Sequence, residues 1–304
     1  MKHINKFENL KEKFFDIPSA DVSHVKRKWL DLPYAELYPA HFLDIYLPEE
    51  GSGPFPVIVH IHGGGFEIGD KRDIHILPLL KGLERGYSIV SVNYRLSGEA
   101  KFPAGLQDIK AAIRWIKANS KTYHLDENHI AVFGGSSGGN YAAMVSLTDQ
   151  VIEFDDINLN NSEYPCNVQA AVDWFGPTDF LKMDDQLADN GFGPGHHNEV
   201  DSPESKYLGG KISDLPLQVE LANPMTYIHE KMPPILIQHG RLDTLVPVQQ
   251  SMIFVEKLQK YVSKDLFEFD ILEGAGHGDP LFETDENMER VFTFLDKHLK
   301  NTTG

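Results

Sequence analysis

The chain has 304 residues, of which 41% are hydrophobic and 24% charged, so it holds enough apolar side chain for a sizeable core. Its 45 Asp and Glu against 28 Lys and Arg leave a formal net charge of −17 with no basic cluster, which argues against a nucleic acid or other polyanion as partner. No apolar run approaches the roughly eighteen residues of a membrane span, and the charged start MKHINKFENLKEKFFDIPSA lacks the apolar core of a signal peptide, so no membrane partner and a cytoplasmic location are expected.

Taken in chain order, the first thirty or so residues are polar with scattered Phe and Ile, and an outer helix is expected there. FLDIYLP (42–48) alternates like an edge strand, and PVIVHIHGG (56–64) and YSIVSVNYR (87–95) read as buried strands. AGLQDIKAAIRWIKANS (104–120) places Leu106, Ile109, Ile113 and Ile116 at helical steps. The strands IAVFGG (130–135), AAVDWFG (170–176), PPILIQHG (233–240) and LFEFDILEG (266–274) follow, with helical patterns over 248–262 and 287–300. Strands alternating with helices predict βαβ units, hence a mostly parallel sheet covered on both faces. Residues 177–232 break this rhythm with turn-rich sequence such as DNGFGPGHHNEVDSPES, and an excursion of that length is expected to be a lid-like insertion or a surface loop. Cys166 is the only cysteine, so no intrachain disulfide can form.

The segment AVFGGSSGGNYAA (131–143) contains G-x-S-x-G in two overlapping frames, one centred on Ser136 and one on Ser137. A serine hydroxyl becomes a nucleophile only with a base to take its proton and donors for the oxyanion. On the sharp strand-to-helix turn that exposes such a serine, the residues two before and two after it must be small. The Ser136 frame uses the glycines better: Phe133 closes the strand, Gly134 starts the turn, and Gly138 and Gly139 open the helix. A phosphate-binding loop would need the lysine or the G-x-G-x-x-G spacing that are missing here.

Three further segments join it. HGGGF (62–66) follows a buried strand and frees backbone N–H groups, making Gly64 and Gly65, together with the Ser137 amide, the candidate oxyanion donors. His62 is read as structural. Asp243, in HGRLDTLVP (239–247), stands at a strand end where it can reach a histidine, although a helix cap is an alternative role that Thr244 could also fill. His277, flanked by glycines in EGAGHGDP (273–280) after the last strand, is the candidate general base. The order Ser136, Asp243, His277 is that of an α/β-hydrolase triad.

On these residues the chain resembles the α/β-hydrolase superfamily, within the branch of hormone-sensitive-lipase-type esterases and bacterial feruloyl/acetyl-xylan esterases. HGGGF and GGSSGG are shared across that branch, and LDIYLP, FPAGLQDIKAAIRWIK, DWFGPTDF, DSPESKYLGG, ANPMTY and GAGHGDPLF resemble the feruloyl/acetyl-xylan esterase group. The resemblance runs from about residue 40 to the end. One departure is Ser137, where alanine is usual, and it leaves the backbone amide intact.

The resemblance implies a single α/β-hydrolase domain over 1–304, with 177–232 as the insertion. It also implies a serine carboxylester hydrolase without metal or organic cofactor, acting on acetyl or hydroxycinnamoyl groups of plant carbohydrate esters. Its nucleophile, acid and base match Ser136, Asp243 and His277. The expected partner is a small-molecule or oligosaccharide ester, with Phe192 or Trp174 available to stack on an aromatic acyl ring or to pack the core. An amidase, formamidase or peptidase using the same triad is the alternative; a non-catalytic binding protein of the same fold fits less well, because all three triad residues are present.

Overall fold

The computed structural model describes residues 17–156 and 158–300. Eight strands form one sheet: β1 (Lys28–Pro33), β2 (Phe42–Tyr46), β3 (Phe55–Ile61), β4 (Ser88–Val92), β5 (Leu125–Gly135), β6 (Ala170–Trp174), β7 (Ile235–Gly240) and β8 (Phe267–Leu272). Their order is β1-β2-β4-β3-β5-β6-β7-β8. β1 with β2 and β2 with β4 are antiparallel, while every pair from β4 to β8 is parallel. This is the α/β-hydrolase architecture expected from the sequence.

The parallel strands are buried on both faces, and their alternating side chains feed two separate cores. Val57, Val59, Ile130, Val132 and Ile237 enter one; Ile58, Ile89, Ala131, Val172 and Leu236 enter the other. Helices α2 (Ala104–Ala118), α3 (Ser137–Leu147) and α7 (Gln249–Tyr261) close the first core through residues such as Ile109, Ile113, Met144, Phe254 and Leu258. Helices α1 (Leu77–Leu80) and α8 (Asp285–Leu299) close the second through Leu79, Met288, Val291 and Leu295. The helix α3 is buried along its whole length, so it has no polar face to give a sequence period.

Two expectations are corrected. FLDIYLP forms no edge: β1 pairs outside β2, and four of the five β2 residues are buried. The reason is that KWLDLP, partly exposed along its length with Asp31 and Pro33 open to solvent, supplies the cover. The outer helix expected over the first thirty residues falls partly on 1–16, outside the described residues. From residue 17 the chain is irregular rather than helical, with Ser19 bridging Asp73, a turn closed by Val25 N–H on the Val22 carbonyl, and β1 beginning at Lys28.

The excursion after β6 contains three short helices, α4 (Met183–Asp189), α5 (Pro203–Leu208) and α6 (Pro216–Leu221). Among the described residues, no helix is long and apolar enough to cross a membrane.

Candidate active site

In-register parallel pairing brings the carboxyl ends of β3, β5, β6, β7 and β8 to one edge of the sheet. Ile61 aligns with Gly134, Gly135 with Trp174, and Gly240 with Leu272. The loops carrying His62 to Phe66, Ser136, Asp243 and His277 all leave from that edge, where open α/β sheets hold their ligands.

Ser136 sits at φ 57°, ψ −125°, between the last residue of β5 and the first of α3. That backbone is sparsely populated for a residue with a side chain and costs on the order of 1–3 kcal/mol. Surrounding bonds hold it there: its N–H donates to the Trp174 carbonyl at 2.8 Å, and its own carbonyl accepts from Gly139 and Asn140. The turn brings the residues two before and two after together. A Cβ on Gly134 would lie 2.1 Å from the Gly138 oxygen, and one on Gly138 would lie 2.2 Å from the Ile61 oxygen. The steric requirement is therefore centred on Ser136. Ser137 opens α3 with its side chain only 1% exposed.

Ser136 Oγ lies 3.0 Å from His277 Nε2, and His277 Nδ1 lies 2.7 Å from Asp243 Oδ2. The three residues singled out in the sequence thus form one hydrogen-bonded line. Asp243 does not cap a helix, since α7 begins only at Gln249. Instead its Oδ1 accepts from the Leu245 and Val246 amides, both at 2.8 Å, leaving Oδ2 for the imidazole. Burial pushes the Asp243 carboxyl upward, but His277 and the neighbouring His239 overturn this and hold it well below the usual carboxylate range. An anionic Asp243 accepts the Nδ1–H of His277, so Nε2 is left free to take a proton from Ser136.

Gly64, Gly65 and Ser137 border the same cleft as Ser136. Among the described residues, none of the three amides donates to another backbone carbonyl, so they are available to a developing oxyanion. His62 is fixed away from the proton line. Its Nδ1 donates to the Gly63 carbonyl at 2.9 Å, its ring stacks on Tyr94 at 4.4 Å, and burial pulls its imidazole below the ordinary value.

Two clefts meet at Ser136. The first, of about 460 Å³, runs from the oxyanion amides under the excursion and is bordered by Leu187, Phe192, Pro203 and Val246. The second, of about 300 Å³, is bordered by His277 itself and by Phe133, Trp174, Phe175 and Phe282. Trp174 is 6% exposed, packs on Phe133 and donates Nε1–H to Gln238 at 2.7 Å, so it is a packing residue. Phe192, 39% exposed, faces the first cleft.

Two contributors were not singled out in the sequence. The Phe175 ring meets the His277 imidazole edge-on at 4.7 Å. His239, a residue of β7, binds Ser251 Oγ at 2.7 Å and the Val246 carbonyl at 2.8 Å, which pins the far end of the Asp243 turn. The only signal for His239 was its place in HGRLD, four residues before Asp243. Among the described residues, no group of three or more His, Cys, Asp or Glu could hold a metal ion.

Comparison with known proteins bears on the same segments. The BD-FAE family model matches residues 43–258. The probable carboxylic ester hydrolase LipM of Mycobacterium tuberculosis is 34% identical over 237 residues, covering 77% of this chain and 52% of its own length. The chain spans about half the length of the curated relatives it matches, such as LipM and the esterase LipQ of the same organism, at 52% each. Among solved structures, a truncated carbohydrate esterase from gut microbiota superposes with a TM-score of 0.81 at 29% identity, covering 92% of this chain and 99% of that one. A bifunctional GH43-CE protein of Bacteroides eggerthii gives a TM-score of 0.79 at 32% identity, over 89% of this chain and 38% of its own.

Proposed function

The chain belongs to the BD-FAE family of α/β-hydrolases, and from that premise we propose that it is a serine-dependent carboxylic ester hydrolase that removes acetyl or hydroxycinnamoyl groups from plant carbohydrate esters. The observation that carries this reading is the unbroken line from Ser136 Oγ through His277 to Asp243, at 3.0 and 2.7 Å, beside three undedicated amides.

In the proposed reaction His277 Nε2 takes the Ser136 proton as Oγ attacks the ester carbonyl carbon. The resulting oxyanion is held by the Gly64, Gly65 and Ser137 amides, each such donor being worth roughly a hundredfold or more in rate. Collapse breaks the bond to the alcohol oxygen, which receives the proton from His277 Nε2. Water then gives a proton to His277 and attacks the acyl carbon, Ser136 recovers its proton, and the carboxylic acid leaves.

The proton path also allocates the two clefts. The leaving oxygen must meet His277 Nε2, and His277 borders the second cleft but not the first. The alcohol and the incoming water therefore use the second cleft, and the acyl group extends into the first, towards Phe192. Both the carbohydrate esterase from gut microbiota among the structural relatives and the absence of a basic cluster in a chain of net charge −17 support a neutral carbohydrate ester as substrate.

Hydrolysis of p-nitrophenyl acetate and methyl ferulate by the wild type, Ser136→Ala and Ser137→Ala tests the proposal. Activity is expected to vanish in Ser136→Ala and to persist in Ser137→Ala, with the ratio of the two substrates reporting the acyl preference. Cleavage of N-formyl amides but of neither ester would transfer the same triad to amide chemistry.

A further inference from the structure

The excursion carries a buried histidine for which the proposed reaction has no use. His197 is 7% exposed, and its ring lies between two oxygens: Nδ1 is 3.1 Å from Glu204 Oε1, and Nε2 is 3.0 Å from the Leu245 carbonyl. A neutral imidazole has one N–H. Nε2 is hydrogen-bonded to the Leu245 carbonyl, while Nδ1 meets Glu204 Oε1 as an ion-pair contact without hydrogen-bond geometry, and a buried carboxylate this close favours the imidazolium.

Each element around the ring contributes. From α5 comes Glu204. From α4 comes Asp184, whose two oxygens accept the backbone N–H groups of His197 and Asn198 at 2.9 and 3.0 Å. The loop after β7 presents the Leu245 carbonyl, with Asp243 and His239 behind it. Glu199, Asp201 and Lys206 border the same cleft, and Lys206 is paired with Glu67 at 2.7 Å. Burial alone would pull the imidazole down; the Glu204 carboxylate, backed by Asp184, reverses this and pushes it up to about 9.

Leu245 connects this cluster to the proton line. Its N–H and that of Val246 hold Asp243 Oδ1, so the turn gripped by His197 is the one that aims Oδ2 at His277. We propose that His197 is a positioning residue: as an imidazolium it ties the excursion to the Asp243–Val246 turn, closing the wall of the first cleft and fixing the Asp243 carboxylate together. This rests on the reading of Ser136, His277 and Asp243 as a hydrolytic unit. A group raised above its unfolded value contributes fully below that value, here 6.5, and loses its contribution as pH rises through the folded value. The tie therefore holds at neutral pH and releases near pH 9.

The test follows kcat and KM for p-nitrophenyl acetate and methyl ferulate from pH 6 to 10 in the wild type, His197→Gln and His197→Lys. Hydrogen exchange over 184–206 and 243–248 is measured alongside. The wild type is expected to lose kcat/KM and exchange protection together above about pH 9. His197→Gln should lack that alkaline limb and run roughly tenfold slower at pH 7.5, as misplacement of a reacting group by a fraction of an ångström predicts. The lysine variant, which keeps a charge, should regain part of the rate and move the limb upward. A glutamine variant with the wild-type limb, or with unchanged exchange in both segments, overturns the proposal. If His197→Gln does not fold, Glu204→Gln decides: the limb must move to lower pH, and an unmoved limb overturns the proposal. Should the wild type cleave no ester, the ester-hydrolase reading fails by itself, and the exchange measurement still decides whether His197 ties the two segments.

Discussion

The two clefts at Ser136 are built from different kinds of chain. The second is bordered mainly by the ends of β3, β5 and β6 and by the loop after β8, whose starting points strand register sets, with Ile17, Pro18, Ile74 and His75 added from outside the sheet. The first has one wall of the same origin, the oxyanion loop, but its roof is the excursion between β6 and β7, whose helices run to no more than seven residues. Rigid, hydrogen-bonded ladders fix the positions where a proton must move over about 3 Å. A wall of short helices fixes chiefly a shape, and away from the His197 contact it can vary without disturbing that path. In the proposed reaction, chemistry lies on the sheet side and acyl selection on the excursion side.

Breaking the sheet side should have the largest effect. Asp243→Asn keeps the acceptor for Leu245 and Val246 but faces an amide towards His277, so Nε2 keeps the proton it must be free to accept. We expect kcat to fall roughly 10⁴-fold for every ester, with KM little changed, read from initial rates on p-nitrophenyl acetate and methyl ferulate. Equal loss on both substrates sharpens the division, and loss on only one breaks it.

A smaller and selective effect is expected from the excursion. Phe192→Ala removes an exposed ring at the first cleft, with little consequence for stability. Specificity for methyl ferulate should drop roughly tenfold, in line with the loss of one aromatic contact, while p-nitrophenyl acetate stays within about twofold. If the acetate suffers equally, the acyl group does not occupy the first cleft.

The smallest effect on activity is predicted beneath the sheet side. Asp173, wholly buried in β6, accepts the Gly176 N–H at 2.8 Å through Oδ1, while Oδ2 has no partner. Burial pushes its carboxyl up to about 6, against the Gly176 bond and His239. Such a group contributes its stability below the unfolded value of 3.8 and loses it as pH rises through about 6. Asp173→Asn should therefore gain about 2 kcal/mol relative to wild type between pH 4 and pH 8, from a shift of some two units already partly expressed at pH 4, with rates changed only a few-fold. Parallel denaturation curves at the two pH values check this.

Much of this was legible in the chain. The β-branched runs of β3, β4 and β7 and the 3.6-residue period of α2 define themselves locally, because each needs only its own apolar pattern to select a burial mode. The glycines around Ser136 pointed to the serine that the structure places on the tight turn and within 3.0 Å of His277 Nε2, since that turn excludes a Cβ on either side. What misled was context. FLDIYLP alternates as an edge strand does, and nothing within it announces that KWLDLP will cover it.

The sequence by itself determined the class of fold and singled out Ser136, Asp243 and His277, which the structure brings into one hydrogen-bonded line, because strand ends, glycine turns and a serine–acid–histidine order are properties of neighbouring residues. Only the tertiary structure decided how those residues are supported and what surrounds them. That His239 and His197 bind the carbonyls of the Asp243 turn, and that Trp174 packs on Phe133 in the wall of the second cleft while Phe192 is exposed at the first, depend on segments tens of residues apart. They depend on how the excursion folds back over the sheet, and no local pattern encodes that.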